Sequence, residues 1–151
     1  MAASSSAKDA RTEMLAEIER GSSAQLATGG AAGKSLLIRG CDPVMAKRAK
    51  PMLIAALGEG VDIASCTDDA EFFRHLEERK WNVVMFAPGA CRWSRAGQPI
   101  PGQNEGTHGW STEKYGTMVR EKQGTDVRIV ETCEEREIVP LLQEALGVRS
   151  V

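Results

Sequence analysis

Trp81-Asn82-Val83-Val84-Met85-Phe86-Ala87-Pro88-Gly89-Ala90-Cys91-Arg92-Trp93 holds an unbroken apolar run that stops abruptly at turn residues and opens into a long polar stretch. Val83 to Ala87 show no polar alternation, the pattern of a strand covered on both faces, and such strands belong to parallel sheets packed between helices. The flanking segments agree with that reading. Upstream, Thr67 or Asp68 is placed to cap a helix, with Glu71 positioned to close a capping box on Asp68 and Phe72, Phe73 and Leu76 on its buried face. His75 falls within this charged helix with no second ligand at helical spacing, so it reads as a boundary residue. Val61 to Ser65 forms a shorter, more alternating strand that suits a sheet edge.

Further upstream, Leu36-Leu37-Ile38 is the first strand, ending at Arg39-Gly40-Cys41. Asp42-Pro43 starts the helix after it, with Asp42 as N-cap and Pro43 at the first helical position, and Gly58 stops it. Pro51 lies inside and predicts a kink or restart near Lys47 to Lys50. Residues 1–34 read as a flexible N-terminal extension, with Met14, Leu15 and Ile18 at helical spacing followed by a Gly/Ala/Ser tether. Gly33-Lys34-Ser35 hints at a phosphate-cradling loop. The first glycine of that motif would fall on Thr28, however, and these residues precede a strand rather than follow one.

Downstream, Cys91 to Trp110 reads as a loop of about twenty residues, long for a compact domain. Ser111 or Thr112 caps a helix through about Lys122, and Val127 to Thr132 is a fourth, charged edge strand. Thr132 and Glu135 suggest a capping box for a last helix along Ile138, Val139, Leu141, Leu142 and Leu146, ending at Gly147. The strand–helix alternation predicts an α/β three-layer sandwich over residues 35–151, with a four-stranded parallel sheet of order 2-1-3-4.

The 151 residues, 42% of them apolar, suffice for one core. A net charge of -2 carries no nucleic-acid footprint, and no apolar stretch is long enough to cross a bilayer. The expectation is a soluble, cytoplasmic protein that binds neither nucleic acid nor membrane; an Ala/Ser-rich start raises organelle import as an alternative, opposed by Asp9 and Glu13. Four cysteines without a C-x-x-C pair suggest reduced thiols, no metal and no cofactor.

Leu36 to Gly58, Val61 to Ala87 with the following Pro88-Gly89, and Val127 to Gly147 together resemble the receiver domain of two-component response regulators, a flavodoxin-like fold. The resemblance covers about 100 residues. Its departures imply loss of the phosphorelay chemistry. The acidic pair that holds Mg²⁺ in receivers falls on Gly40 and Cys41, leaving only Asp42, and the phosphoacceptor position falls on Ala87. Thr132 matches the family's switch hydroxyl. The fifth strand and its lysine have no counterpart, so the chain looks like a pseudo-receiver with an open fourth strand for a protein partner or a second copy to cover.

Ligands in open parallel sheets bind beyond the carboxyl ends of the strands, and Cys41, Cys66, Cys91 and Cys133 all fall there. Cys91, followed by Arg92 and Arg95, is the first candidate for a reactive thiol; Cys133 is opposed by Glu131, Glu134 and Glu135. The long stretch adds Trp93, His108 and Trp110, residue types suited to binding. The leading expectation is a non-catalytic interaction or scaffold module binding a protein partner or forming a homo-oligomer, using Cys41, Asp42, Cys91, Arg92, Trp93, Arg95, His108, Trp110 and Thr132. The alternative is a small-molecule binder or enzyme in which Cys91, His108, Arg92 and Arg95 grip an anion in the strand-end crevice.

Overall fold

The structure, a computed structural model, describes residues 31–148, so the amphipathic segment expected between Asp9 and Arg20 lies outside the described residues. Four strands, β1 (Ser35–Arg39), β2 (Asp62–Cys66), β3 (Val83–Phe86) and β4 (Arg128–Glu131), form one sheet. Its order is β2-β1-β3-β4 with every pairing parallel, as expected. Five α-helices flank it: α1 (Pro43–Leu57), α2 (Asp69–Glu78), α3 (Pro88–Arg95), α4 (Thr112–Gln123) and α5 (Ile138–Leu146). β1 and β3 are buried along their whole length, and β4, with Arg128 and Glu131 exposed, is an edge.

Strand alternation sends side chains to two cores. Leu37, Val84 and Phe86 pack against Phe72 and Leu76 of α2 and Tyr115, Met118 and Val119 of α4. Leu36, Ile38, Val83 and Met85 face Leu53 and Leu57 of α1 and Leu142 and Leu146 of α5. Right-handed crossovers explain the division, because β1 steps to β2 in one direction while β2 to β3 and β3 to β4 step in the other. By the same rule, a crossover from β4 to a strand beyond it would run on the α2–α4 face. α5 lies on the α1 face, so it closes the second core, and among the described residues no fifth strand follows it.

Three local expectations change. α1 runs unbroken through Pro51, whose ring is exposed, so the carbonyl it cannot serve is on the water side of the helix. Pro88-Gly89, read as a turn, starts helix α3, because proline at the first helical position has the φ that a helix needs. The expected twenty-residue loop is therefore shorter, from Ala96 to Ser111, and carries a 3-10 turn at Glu105–Thr107. Thr132 caps the chain differently from the expected box: its hydroxyl hydrogen-bonds Glu137 at 2.7 Å and accepts from the Glu134 N–H at 3.1 Å, and Glu135 is not its partner.

Lys34 donates to the Leu146 carbonyl at 2.7 Å, and Ser35 is tied to Asn82, both at the amino ends of the strands. Gly33-Lys34-Ser35 therefore serves the chain's own backbone, away from the ligand-binding edge of the sheet. Among the described residues, no helix is long and apolar enough to cross a membrane.

Candidate functional site

The sheet order reverses direction between β1 and β3, and ligands of open parallel sheets bind at that switch point. Here the two loops meet instead of parting. The Ala87 N–H donates to the Arg39 carbonyl at 3.0 Å, and a Cβ on Gly40 would stand 3.9 Å from that of Ala87. Gly89, in the first turn of α3, lies against the Cys41 sulfur, so a side chain there would require the Cys41 thiol to turn away. The expected acidic positions hold Gly40, Cys41 and Ala87, and Asp42 turns away to cap α1, accepting from Val44 N at 2.9 Å. Among the described residues, no cluster of three metal-ligating side chains exists.

Beside the switch point, a buried polar cluster holds the loop Ala96–Ser111 down. Arg39, the last residue of β1, and Asp69, in the first turn of α2, are both fully buried and paired. Arg39 reaches Asp69 Oδ1 through Nε at 3.1 Å and Nη2 at 3.0 Å, and donates to the carbonyls of Pro101, at 2.9 Å, and Gly40. The other Asp69 oxygen accepts from the Thr107 and Tyr115 hydroxyls. Burial, then the neighbouring Asp69 carboxylate, pushes the Tyr115 phenol up to about 12. Three chain segments thus converge on the carboxylate of a fourth, with Ile100 in the core beside them.

Gly102 makes this seating possible. Its φ of +85° is the region that favours glycine, and an added Cβ would lie 2.8 Å from Asp68 Cα and closer still to the Thr67 carbonyl. Gly102→Ala should lower unfolding free energy by more than about 1 kcal/mol, whereas Gly97→Ala, at φ +73° in open space, loses only the conformational part. Chemical denaturation of both variants checks this; equal losses would mean the loop is not seated as described.

The cysteines correct the expectation most. Cys91 and Cys133 form a disulfide, with Cα atoms 5.2 Å apart, joining α3 to the turn after β4. Reduced thiols were expected from the absence of a C-x-x-C pair in a chain read as cytoplasmic; parallel strands bring the carboxyl ends of β3 and β4 together, and the two cysteines that follow them meet. Cys91 is buried and has no free thiol, so a Cys91–His108 pair has no nucleophile. Cys66 is buried, donates to the Ile38 carbonyl, and is pushed up to about 12 chiefly by burial. Cys41 is raised by burial first, with Arg39 opposing and Asp42 assisting. Neither free cysteine is an activated nucleophile.

The remaining expected residues separate into anchors and surface. Trp110 is half-buried against Tyr115 and Phe73, and Thr132 is buried and engaged, so both are structural. His108 is exposed past the 3-10 turn. Arg92 pairs with Glu135 at 2.7 Å, Arg95 is exposed, and Trp93 is 41% exposed. Val44 and Met45, in the first turn of α1, are 59% and 55% exposed and complete the set of large exposed apolar side chains among the described residues.

Val44 and Met45 follow the β1–α1 loop whose Cys41 packs on Gly89, and Trp93 sits one helical turn from Gly89 on the same side of α3. α1 carries Lys47, Arg48 and Lys50, α3 carries Arg92 and Arg95, and neither helix contains an acidic residue. A shallow cleft of about 320 Å³ lies on the β2 side of α1, where Lys47 and Lys50 share it with Ser65, Thr67 and Glu71 among others. The switch-point edge of an all-parallel α/β sandwich is thus filled by the protein itself and finished with an apolar, basic surface. Searches of protein-family models, curated proteins and solved structures find no match to this chain.

Proposed function

We propose that the chain is a non-catalytic interaction module, a pseudo-receiver that docks an acidic protein partner on the face made by α1 and α3. The observation that carries this reading is that Val44, Met45 and Trp93, the large apolar side chains exposed among the described residues, all lie on α1 and α3, two helices that carry five cations and no acidic residue in a chain whose net charge is -2. Exposed apolar groups ringed by one sign of charge fit a partner surface of the opposite sign. The absence of a carboxylate at Ala87, Gly40 and Cys41 supports a role without phosphoryl transfer. The docking face shifts from the stretch Cys91 to Trp110 toward α1 and α3, because the Arg39–Asp69 cluster and the disulfide commit much of that stretch to the domain's own packing.

The test uses the full chain carrying Val44→Ser, Met45→Ser and Trp93→Ser together. Native mass spectrometry of material isolated from its own source should show a stoichiometric acidic protein on the wild type. On the variant it should be weakened at least tenfold while the chain still unfolds in one cooperative thermal transition, and Val44→Ser with Met45→Ser alone, at the two more exposed positions, should weaken it in the same direction. A partner retained by the variant, or labelling of an aspartate by a phosphodonor with Mg²⁺, would overturn the reading.

A further inference from the structure

The Cys91–Cys133 bond joins two segments that are held to the domain very differently. On the β4 side the turn keeps its own shape, because Thr132 is buried, donates to Glu137 at 2.7 Å and accepts from the Glu134 N–H at 3.1 Å. On the other side, α3 buries only Pro88, Ala90 and Cys91, and of these Ala90 alone belongs to a hydrophobic core cluster. Small side chains bury little apolar area. Ser94 Oγ accepts from the Thr112 N–H at 3.1 Å, and Arg92 meets Glu135 across exposed surface, where an ion pair adds little. The segment is nevertheless pinned at both ends. Phe86 is paired in the sheet, Ile100 sits in the core, and the Pro101 carbonyl accepts from Arg39. Residues 87–99 are therefore a unit that can open while the rest stays folded, and the disulfide is its strongest tie.

The two sulfurs also differ in access. Cys91 is 0% exposed, whereas Cys133 is half-buried in the turn. A thiolate attacks a disulfide in line with the S–S bond, from behind the sulfur it reaches, and here that sulfur belongs to Cys133. Cys91 is then the leaving group, at the positive end of α3, a helix that contains no acidic residue.

We propose that the Cys91–Cys133 bond is a thiol–disulfide exchange site for a dithiol reductant, attacked at Cys133, and that its opening releases α3 from the switch point. One thiolate of the reductant bonds to Cys133 Sγ while the S–S electron pair leaves on Cys91 Sγ. The reductant's second thiolate then attacks the first sulfur and frees Cys133. The dithiol ends as a disulfide, and its two protons end on the two cysteines. Release of α3 uncovers Cys41, whose sulfur lies against Gly89. The inference stands apart from any partner on α1 and α3.

Cys41 and Cys66 are built-in reporters, both free and differently placed. The full chain is reduced with dithiothreitol below its unfolding temperature, freed of reductant without air, and labelled with iodoacetamide beside the oxidised chain. Cys41 should label at least fivefold faster after reduction. Cys66 should keep its rate, because it is buried on β2, which β1 separates from β3. Cys91→Ala with Cys133→Ala should label Cys41 at the fast rate without reductant, which ties the effect to this bond. After brief exposure to 2-mercaptoethanol and an acid quench, peptide mapping should find the adduct on Cys133 and the free thiol on Cys91. An adduct on Cys91, a bond that resists the dithiol in the folded chain, or an unchanged Cys41 rate would each overturn the proposal. So would equal acceleration of Cys41 and Cys66, the mark of global unfolding.

Discussion

Asp69→Ala should remove about 3–5 kcal/mol of stability, the loss expected when one partner of a buried ion pair is deleted and the other charge is left without compensation. Arg39 would keep only carbonyl acceptors, and the Thr107 and Tyr115 hydroxyls would lose theirs. Domains of this kind are stable by about 5–15 kcal/mol, so the loss is large enough to leave much of the protein unfolded. The double variant Arg39→Met, Asp69→Leu should recover part of it, because the uncompensated charge is gone while the buried Tyr115 hydroxyl still lacks its acceptor. Urea unfolding of the three proteins decides the matter; an Asp69→Ala variant within about 1 kcal/mol of wild type would mean the cluster is not dry. Tyr115 offers a second readout as the sole tyrosine. Its phenol ionises near 12 when folded and near its usual value of 10 when unfolded, so this contribution is intact below pH 10 and is lost as the pH rises toward 12.

Removing the Cys91–Cys133 bond is the second large effect. Its ends are 42 residues apart, and the chain-entropy model assigns a closed loop of that length about 4 kcal/mol. Cys91→Ala with Cys133→Ala should therefore lower the unfolding temperature by on the order of 10 °C, and a dithiol reductant should lower that of the wild type similarly. Thiol counting in denaturant supplies the direct check: two of the four cysteines, Cys41 and Cys66, should react before reduction and all four after it. Four reactive thiols without reductant would show the bond to be absent.

The fold was legible because its signals are local. Apolar continuity marked Val83 to Phe86 as a central strand, Asp42-Pro43 and Ser111 marked helix starts, and alternation of strands with helices set the order of the sheet. The site was less legible because it is built from long-range pairs. Arg39 meets Asp69 across 30 positions, Tyr115 meets it across 46, and no spacing rule links them. One signal was present: an arginine ending the all-apolar strand Leu36-Leu37-Ile38 needs a partner that is also buried, and Asp69 follows a cap residue that needs only one carboxylate. The disulfide was missed although Cys91 and Cys133 were both placed at the carboxyl edge of the sheet, because the chain was read as cytoplasmic and holds no C-x-x-C pair. Pro88-Gly89 misled because the pair suits a turn and a helix start equally, and here Pro88 takes the first helical position.

The hydrogen bond from Lys34 to the Leu146 carbonyl means that the described domain is entered and left at one point, at the amino ends of the strands and opposite the α1–α3 face. A domain with adjacent ends can be spliced into a surface loop of a host protein, or rejoined and reopened elsewhere as a circular permutant, without stretching its core. The docking face would then be carried outward from whatever bears it, like a head on a two-stranded neck.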